Sequence, residues 1–110
     1  MTVRSSSFGA YDVTSLAPVD LFTCPDGHVY AIKGISLANI SLSPTAAGLV
    51  YYRPSGGTNC PIQSFQTYGN IYADLFGVVW CVLLPGDTIA ASSVDGSLCS
   101  FAFFGADLVD

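Results

Sequence analysis

Glutamate is absent from this sequence, and lysine and histidine occur once each, as Lys33 and His28. With Arg4 and Arg53 the chain holds three Lys and Arg residues against eight Asp, a formal net charge of -5 at pH 7. Charged residues make up 10% of the chain, well below the roughly 25% of an ordinary soluble domain. So few cations cannot neutralise a run of phosphates, so nucleic acid is not an expected partner, and an anionic membrane surface is excluded on the same ground. Long apolar runs are also missing. The most apolar segment, Leu75 to Leu84 (LFGVVWCVLL), spans 10 residues, whereas a membrane-spanning helix needs about 20. The opening MTVRSSSFGAYD lacks the continuous apolar stretch of a secretory signal, so synthesis and assembly in the cytosol are expected.

What is present points to one domain that meets a partner. A chain of 110 residues buries roughly two thirds of the surface it exposes when unfolded. Apolar residues reach 51%, and with so little charge to coat it, the outside must carry uncharged surface that other proteins can cover. Cys24, Cys60, Cys81 and Cys99 are spaced 36, 21 and 18 residues apart, unlike the short spacings of zinc knuckles or redox motifs. Free, mostly buried thiols are the expectation, with one or two disulfides as the alternative.

Helix signals are scarce, because β-branched and aromatic residues run through every window. Turn residues recur at Pro25-Asp26-Gly27, Ser43-Pro44, Pro54-Ser55-Gly56-Gly57, Tyr68-Gly69-Asn70, Pro85-Gly86-Asp87 and Asp95-Gly96. Between them lie candidate strands at Val19 to Cys24, His28 to Asn39, Ala46 to Arg53, Pro61 to Tyr68, Ile71 to Leu84, Asp87 to Val94 and Ser97 to Phe104. The second and fifth are long enough to bend or split at Gly34 and Gly77, giving seven to nine strands. This spacing predicts an all-β fold, an antiparallel β-sandwich of jelly-roll type. In the last strand Cys99, Phe101 and Phe103 share one face, and Leu98, Ser100, Ala102 and Phe104 the other; both are largely apolar, so one is expected to face the core and the other a partner. Residues 1 to 17, rich in Ser and Gly, are expected to form an N-terminal arm, either frayed or ordered on a neighbouring subunit, ahead of a sandwich domain at 18 to 110.

The chemistry-bearing residues show no catalytic pattern. A nucleophilic triad needs a base, and His28 sits at a strand start with no Gly-x-Ser-x-Gly elbow elsewhere. Asp26, Asp87 and Asp95 fall in turns, where carboxylates bond nearby backbone N–H groups, and the remaining Asp residues have no motif spacing. Calcium-loop and Walker patterns are absent, and Asn39-Ile40-Ser41 matches the glycosylation triplet without an export signal. No catalytic residue, cofactor or metal site is expected. The aromatics, including Tyr51, Tyr52, Phe65, Trp80 and Phe104, suit a core or a protein interface better than sugar stacking. Regular alternation forbids that Tyr51 and Tyr52 both face the core.

Three segments carry a resemblance. Leu21 to Asn39 (LFTCPDGHVYAIKGISLAN), Tyr51 to Thr58 (YYRPSGGT) and Leu84 to Ser97 (LPGDTIAASSVDGS) resemble the opening hairpin, the following strand and loop, and the late Gly-Asp-Thr-Ile hairpin of small β-sandwich decoration, or cement, proteins of tailed bacteriophages. The likeness spans Leu21 to Phe104 and departs in the four cysteines and in the apolar Leu75 to Leu84. It implies a non-enzymatic virion protein on the outer capsid surface, bridging major capsid protein subunits and associating with itself as a homodimer or homotrimer. A tail, baseplate or carbohydrate-binding module is the alternative, and a small hydrolase is disfavoured by the missing constellation. The candidate interface residues are Arg4, Phe8 and Tyr11 in the arm, Tyr52 and Arg53 in the middle of the chain, and Phe104 on the outer face.

Overall fold

Alternating apolar residues and frequent turns produce eight strands: β1 (Thr2–Val13), β2 (Val19–Thr23), β3 (His28–Asn39), β4 (Thr45–Arg53), β5 (Cys60–Tyr68), β6 (Tyr72–Leu83), β7 (Thr88–Ser93) and β8 (Cys99–Val109). The computed structural model describes residues 2–39, 45–68 and 72–109, with the side chains of 38, 39, 45, 67, 68 and 72–80 outside the description. All pairings are antiparallel, in two four-stranded sheets ordered β1-β8-β3-β6 and β2-β7-β4-β5. Two such facing sheets of this connectivity make a jelly-roll sandwich, as the strand spacing predicts. The first six expected strands are found within one residue of their expected bounds, while the last runs five residues past Phe104 to Val109. The turns expected at Ser43-Pro44 and Gly69-Asn70, and most of Asn39-Ile40-Ser41, lie outside the described residues.

The segment expected to be an arm contributes β1, which pairs with β8 from Thr2↔Val109 to Val13↔Cys99. Serine is tolerated there because an edge strand needs only one apolar face, and Phe8 and Val13 supply it, at 9% and 4% exposure. The core is filled by Ile32, Ile35 and Leu37 of β3 and by Cys99, Phe101 and Phe103 of β8, all fully buried. Val50, Phe65 and Ile89 close it from the second sheet.

Two pairs of inward residues are spaced oddly, which a regular strand forbids. Ile32 and Ile35 both face in because β3 shifts register between Ile32 and Gly34, leaving Lys33 unmatched against β8. Across the same point β6 passes from Cys81 to Phe76, so the expected breaks at Gly34 and Gly77 appear as a register irregularity within continuous strands. Phe8 is likewise the residue left unmatched by a shift between Ser7 and Gly9, where Gly9 adopts φ +101°, and Tyr11 lies beyond it. These are β-bulges, which insert a residue and re-aim the side chains around it.

The second sheet hides its middle strand on both faces. Every residue of β7 is buried. Its inner face meets the core, and over its outer face Tyr51 hydrogen-bonds with Ser92 through the two hydroxyls at 3.0 Å. Tyr51 is thus the outward member of the tyrosine pair, and Tyr52 packs against the core.

Candidate functional site

Asp87 ties two loops together. The turn Leu84-Pro85-Gly86-Asp87 closes through the Asp87 N–H donating to the Leu84 carbonyl at 3.0 Å, with Gly86 at φ +91°, as a Pro-Gly pair favours. The carboxylate then accepts from the Leu84 N–H at 3.0 Å, the Ser55 N–H at 2.9 Å and the Tyr52 hydroxyl at 2.9 Å. Burial alone would raise the Asp87 pKa, but these three donors hold it below the usual carboxylate value. The sequence shows the turn; the reach to Tyr52, 35 residues away, has no sequence signal.

A second cluster lies at the same end of the sandwich. Asp107 accepts from Arg4 at 3.2 Å through one oxygen and bonds His28 Nδ1 at 2.8 Å through the other. β8 lies between β1 and β3, so Arg4 stands directly opposite Asp107 on one side and Tyr30 on the other. With Cys24 nearby, this cluster has the residue types of a Cys-His-Asp triad. The chemistry does not follow. Cys24 is 1% exposed, and its thiol donates to the carbonyls of His28 at 3.4 Å and Pro25 at 3.8 Å. Burial pushes its pKa up, away from the thiolate that attack requires. Among the described residues no three His, Cys or Asp side chains gather to hold a metal.

The six residues expected at an interface are spread around the molecule. Phe8 is turned into the core by the bulge, 4.5 Å from the Tyr30 ring and 5.8 Å from Phe22. Tyr11 is half-buried and donates its hydroxyl to the Phe8 carbonyl at 2.5 Å, with its pKa raised by desolvation. Arg4 is exposed on β1 beside Asp107. Arg53 grips Asp20 through two hydrogen bonds of 2.8 and 2.7 Å on the outside of the second sheet. Tyr52 lines a cleft of about 390 Å³ with Ile62, Cys81 and Val82, where the edge strands β5 and β6 meet. Phe104 faces outward on the first sheet, in a recess of about 470 Å³ with Ser5, Ser6, Ser7, Lys33 and Gly105. The side chain of Trp80 lies outside the described residues.

No family model matches the chain, and no curated protein matches it. Among solved structures, the sandwich is similar to a chain from Bacillus endospore appendages, described as a novel family of disulfide-linked pili. The two share a TM-score of 0.54 at 8% sequence identity, over 98% of this chain and 88% of that one. At that identity the likeness is one of fold.

All four cysteines of this chain are free thiols; Cys24 and Cys99 are buried, Cys81 is half-buried and Cys60 is exposed. Burial, with a smaller contribution from the Asp87 charge, pushes the Cys81 pKa up to about 11. Of the residues lining the Tyr52 cleft, Ile62 and Val82 are 38% and 47% exposed, and Leu84, two residues beyond Val82, is 56% exposed. Val82 and Leu84 belong to the apolar run Leu75 to Leu84, and they fall on the outward parity of β6 and its following turn, with Leu83 between them turned into the core.

Proposed function

We propose that this chain is a non-catalytic structural subunit that works inside an ordered assembly of protein copies. The observation that carries the reading is the apolar edge at Ile62, Val82 and Leu84, on a molecule with 10% charged residues. Single exposed aliphatics are normal, but neighbouring ones beside an open cleft favour burial against another protein. The finer reading is decoration of a tailed-phage capsid, bound to the outer surface of the major capsid protein and to itself. The resemblance over Leu21 to Phe104 and the jelly-roll strand order support it. A subunit that binds only the expanded shell stabilises that shell by mass action, and many modest contacts repeated by symmetry suffice. A second reading, subunit of a fibrous appendage, is favoured by the fold likeness to the pilus chain across nearly the whole length of both.

The test uses the full chain, purified and followed by light scattering and negative-stain microscopy, alone and with proheads and expanded shells of a tailed phage that carries the gene. Decoration predicts binding to expanded shells and not to proheads, at a copy number comparable to the coat protein. Filaments formed by the chain alone would replace decoration with the fibre reading. A chain that stays monomeric at millimolar concentration and binds neither particle overturns both.

A further inference from the structure

Opposite charges are left over after the internal pairing among the described residues is complete. Arg4 is held by Asp107 and Arg53 by Asp20, which leaves Lys33 as the lysine or arginine with no carboxylate against it. On the acidic side, Asp87 is filled by its three donors, and Asp95 accepts from Ser93 and from the hydroxyl and N–H of Ser97. Asp12 and Asp26 remain, exposed and without a hydrogen-bond partner among the described residues.

Lys33 stands in a built recess. It is the residue that the β3 bulge inserts, since Ile32 pairs with Gly105 and Gly34 with Phe104. Phe104 and Gly105 line the recess, and the close packing there admits no further side chain: a Cβ on Gly105 would collide with the Ala31 carbonyl oxygen, and one on Gly34 with the Phe104 ring. Ser5, Ser6 and Ser7 complete the wall of this recess of about 470 Å³. Lys33 is exposed beside this recess, and its ammonium, with three donors and no acceptor, suits a carboxylate on a narrow support.

Asp26 is such a carboxylate. It tops the turn Pro25-Asp26-Gly27-His28, closed by the His28 N–H donating to the Pro25 carbonyl at 3.3 Å. Gly27 has φ +80°, and a Cβ there would meet nothing within 4 Å, so the turn projects clear of the body. Asp12 lies within β1, opposite Ser100, and is carried on no projection.

We propose that the Lys33 recess of one copy receives the Asp26 turn of a second copy. The inference rests on the assembly reading above and gives it a contact. Recess and turn are different places on one chain, so two copies can meet reciprocally about a two-fold axis, each Lys33 taking the other's Asp26, or head to tail in a ring or a polar row.

Lys33→Asp and Asp26→Lys test it on the full chain, with association followed by sedimentation velocity across a concentration series and folding checked by circular dichroism. Each single variant places like charges in the contact and raises the concentration needed for association by about tenfold or more. The double variant restores it with reversed polarity, and so does mixing the two single variants, because each then supplies the partner that the other needs. If the wild type associates and the single variants associate equally well, this contact is wrong and the assembly reading stands. Weakening by the single variants without rescue in the double variant or the mixture also overturns the pairing. A wild type that never associates overturns this contact, and the assembly reading falls with it only if the chain also binds neither proheads nor expanded shells.

Discussion

At the scale of single residues, Asp87 is the side chain on which the chain spends most of its polar geometry. Its folded pKa lies below the unfolded value, so its stabilising contribution is full above the unfolded carboxylate pKa of about 3.9 and is lost as pH falls through the folded value. Asp20, lowered by the Arg53 hydrogen bond, and Asp95, lowered by Ser97, act in the same direction. Asp87→Ala is expected to cost about 3 kcal/mol at neutral pH, since two backbone N–H groups and a phenol lose their acceptor. It should also flatten the loss of stability as pH falls below about 4. Urea unfolding of both chains across that range measures it, and an unchanged acid limb would remove Asp87 from the account. The cysteines give a second check. With burial raising the pKa of Cys24, Cys81 and Cys99 and Cys60 exposed, alkylation at neutral pH should reach Cys60 first. Peptide mass mapping over time reads the order, and comparable labelling of Cys81 would contradict the burial described here.

At the scale of elements, the alternation of β8 is legible in the sequence: Cys99, Phe101 and Phe103 share one face by their spacing, and the structure turns that face to the core. The bulges are not, because they break the very period by which strands are recognised. Ile32 with Ile35, and Phe8 with Tyr11, look out of phase until one residue is lifted from the ladder. Residues 1 to 17 read as an arm because serine and glycine dilute their apolar content, and the bulge that turns Phe8 inward breaks the alternation there. The sites were less legible than the strands, since His28 and Asp107 meet across 79 residues of chain, and Lys33 is one lysine in a strand until its bulge is seen. Glycine separates two kinds of constraint at this scale. Gly105→Ala should cost about 3 kcal/mol or more, because its methyl would enter the space of the Ala31 carbonyl. Gly27→Ala meets no atom and pays only for its positive φ, about 1 kcal/mol. Thermal unfolding of the pair tests the difference, and equal losses would sink the close approach of β3 and β8.

At the scale of the whole molecule, the apolar edge separates assembly from folding. Val82→Asp and Leu84→Asp alter exposed side chains, so stability should stay within about 0.5 kcal/mol of the parent. Association followed by light scattering should nevertheless fall. Assembly that survives both substitutions would move the contact away from this edge. The sandwich measures 45 × 27 × 18 Å, and its two outermost paired residues have a practical corollary. Thr2 and Val109 are register partners at one pole, so a label fused at either terminus emerges beside the other and leaves the far pole unobstructed. A short peptide joining them, with new ends opened at the Asp95-Gly96 turn, should yield a circularly permuted chain that folds to the same sandwich.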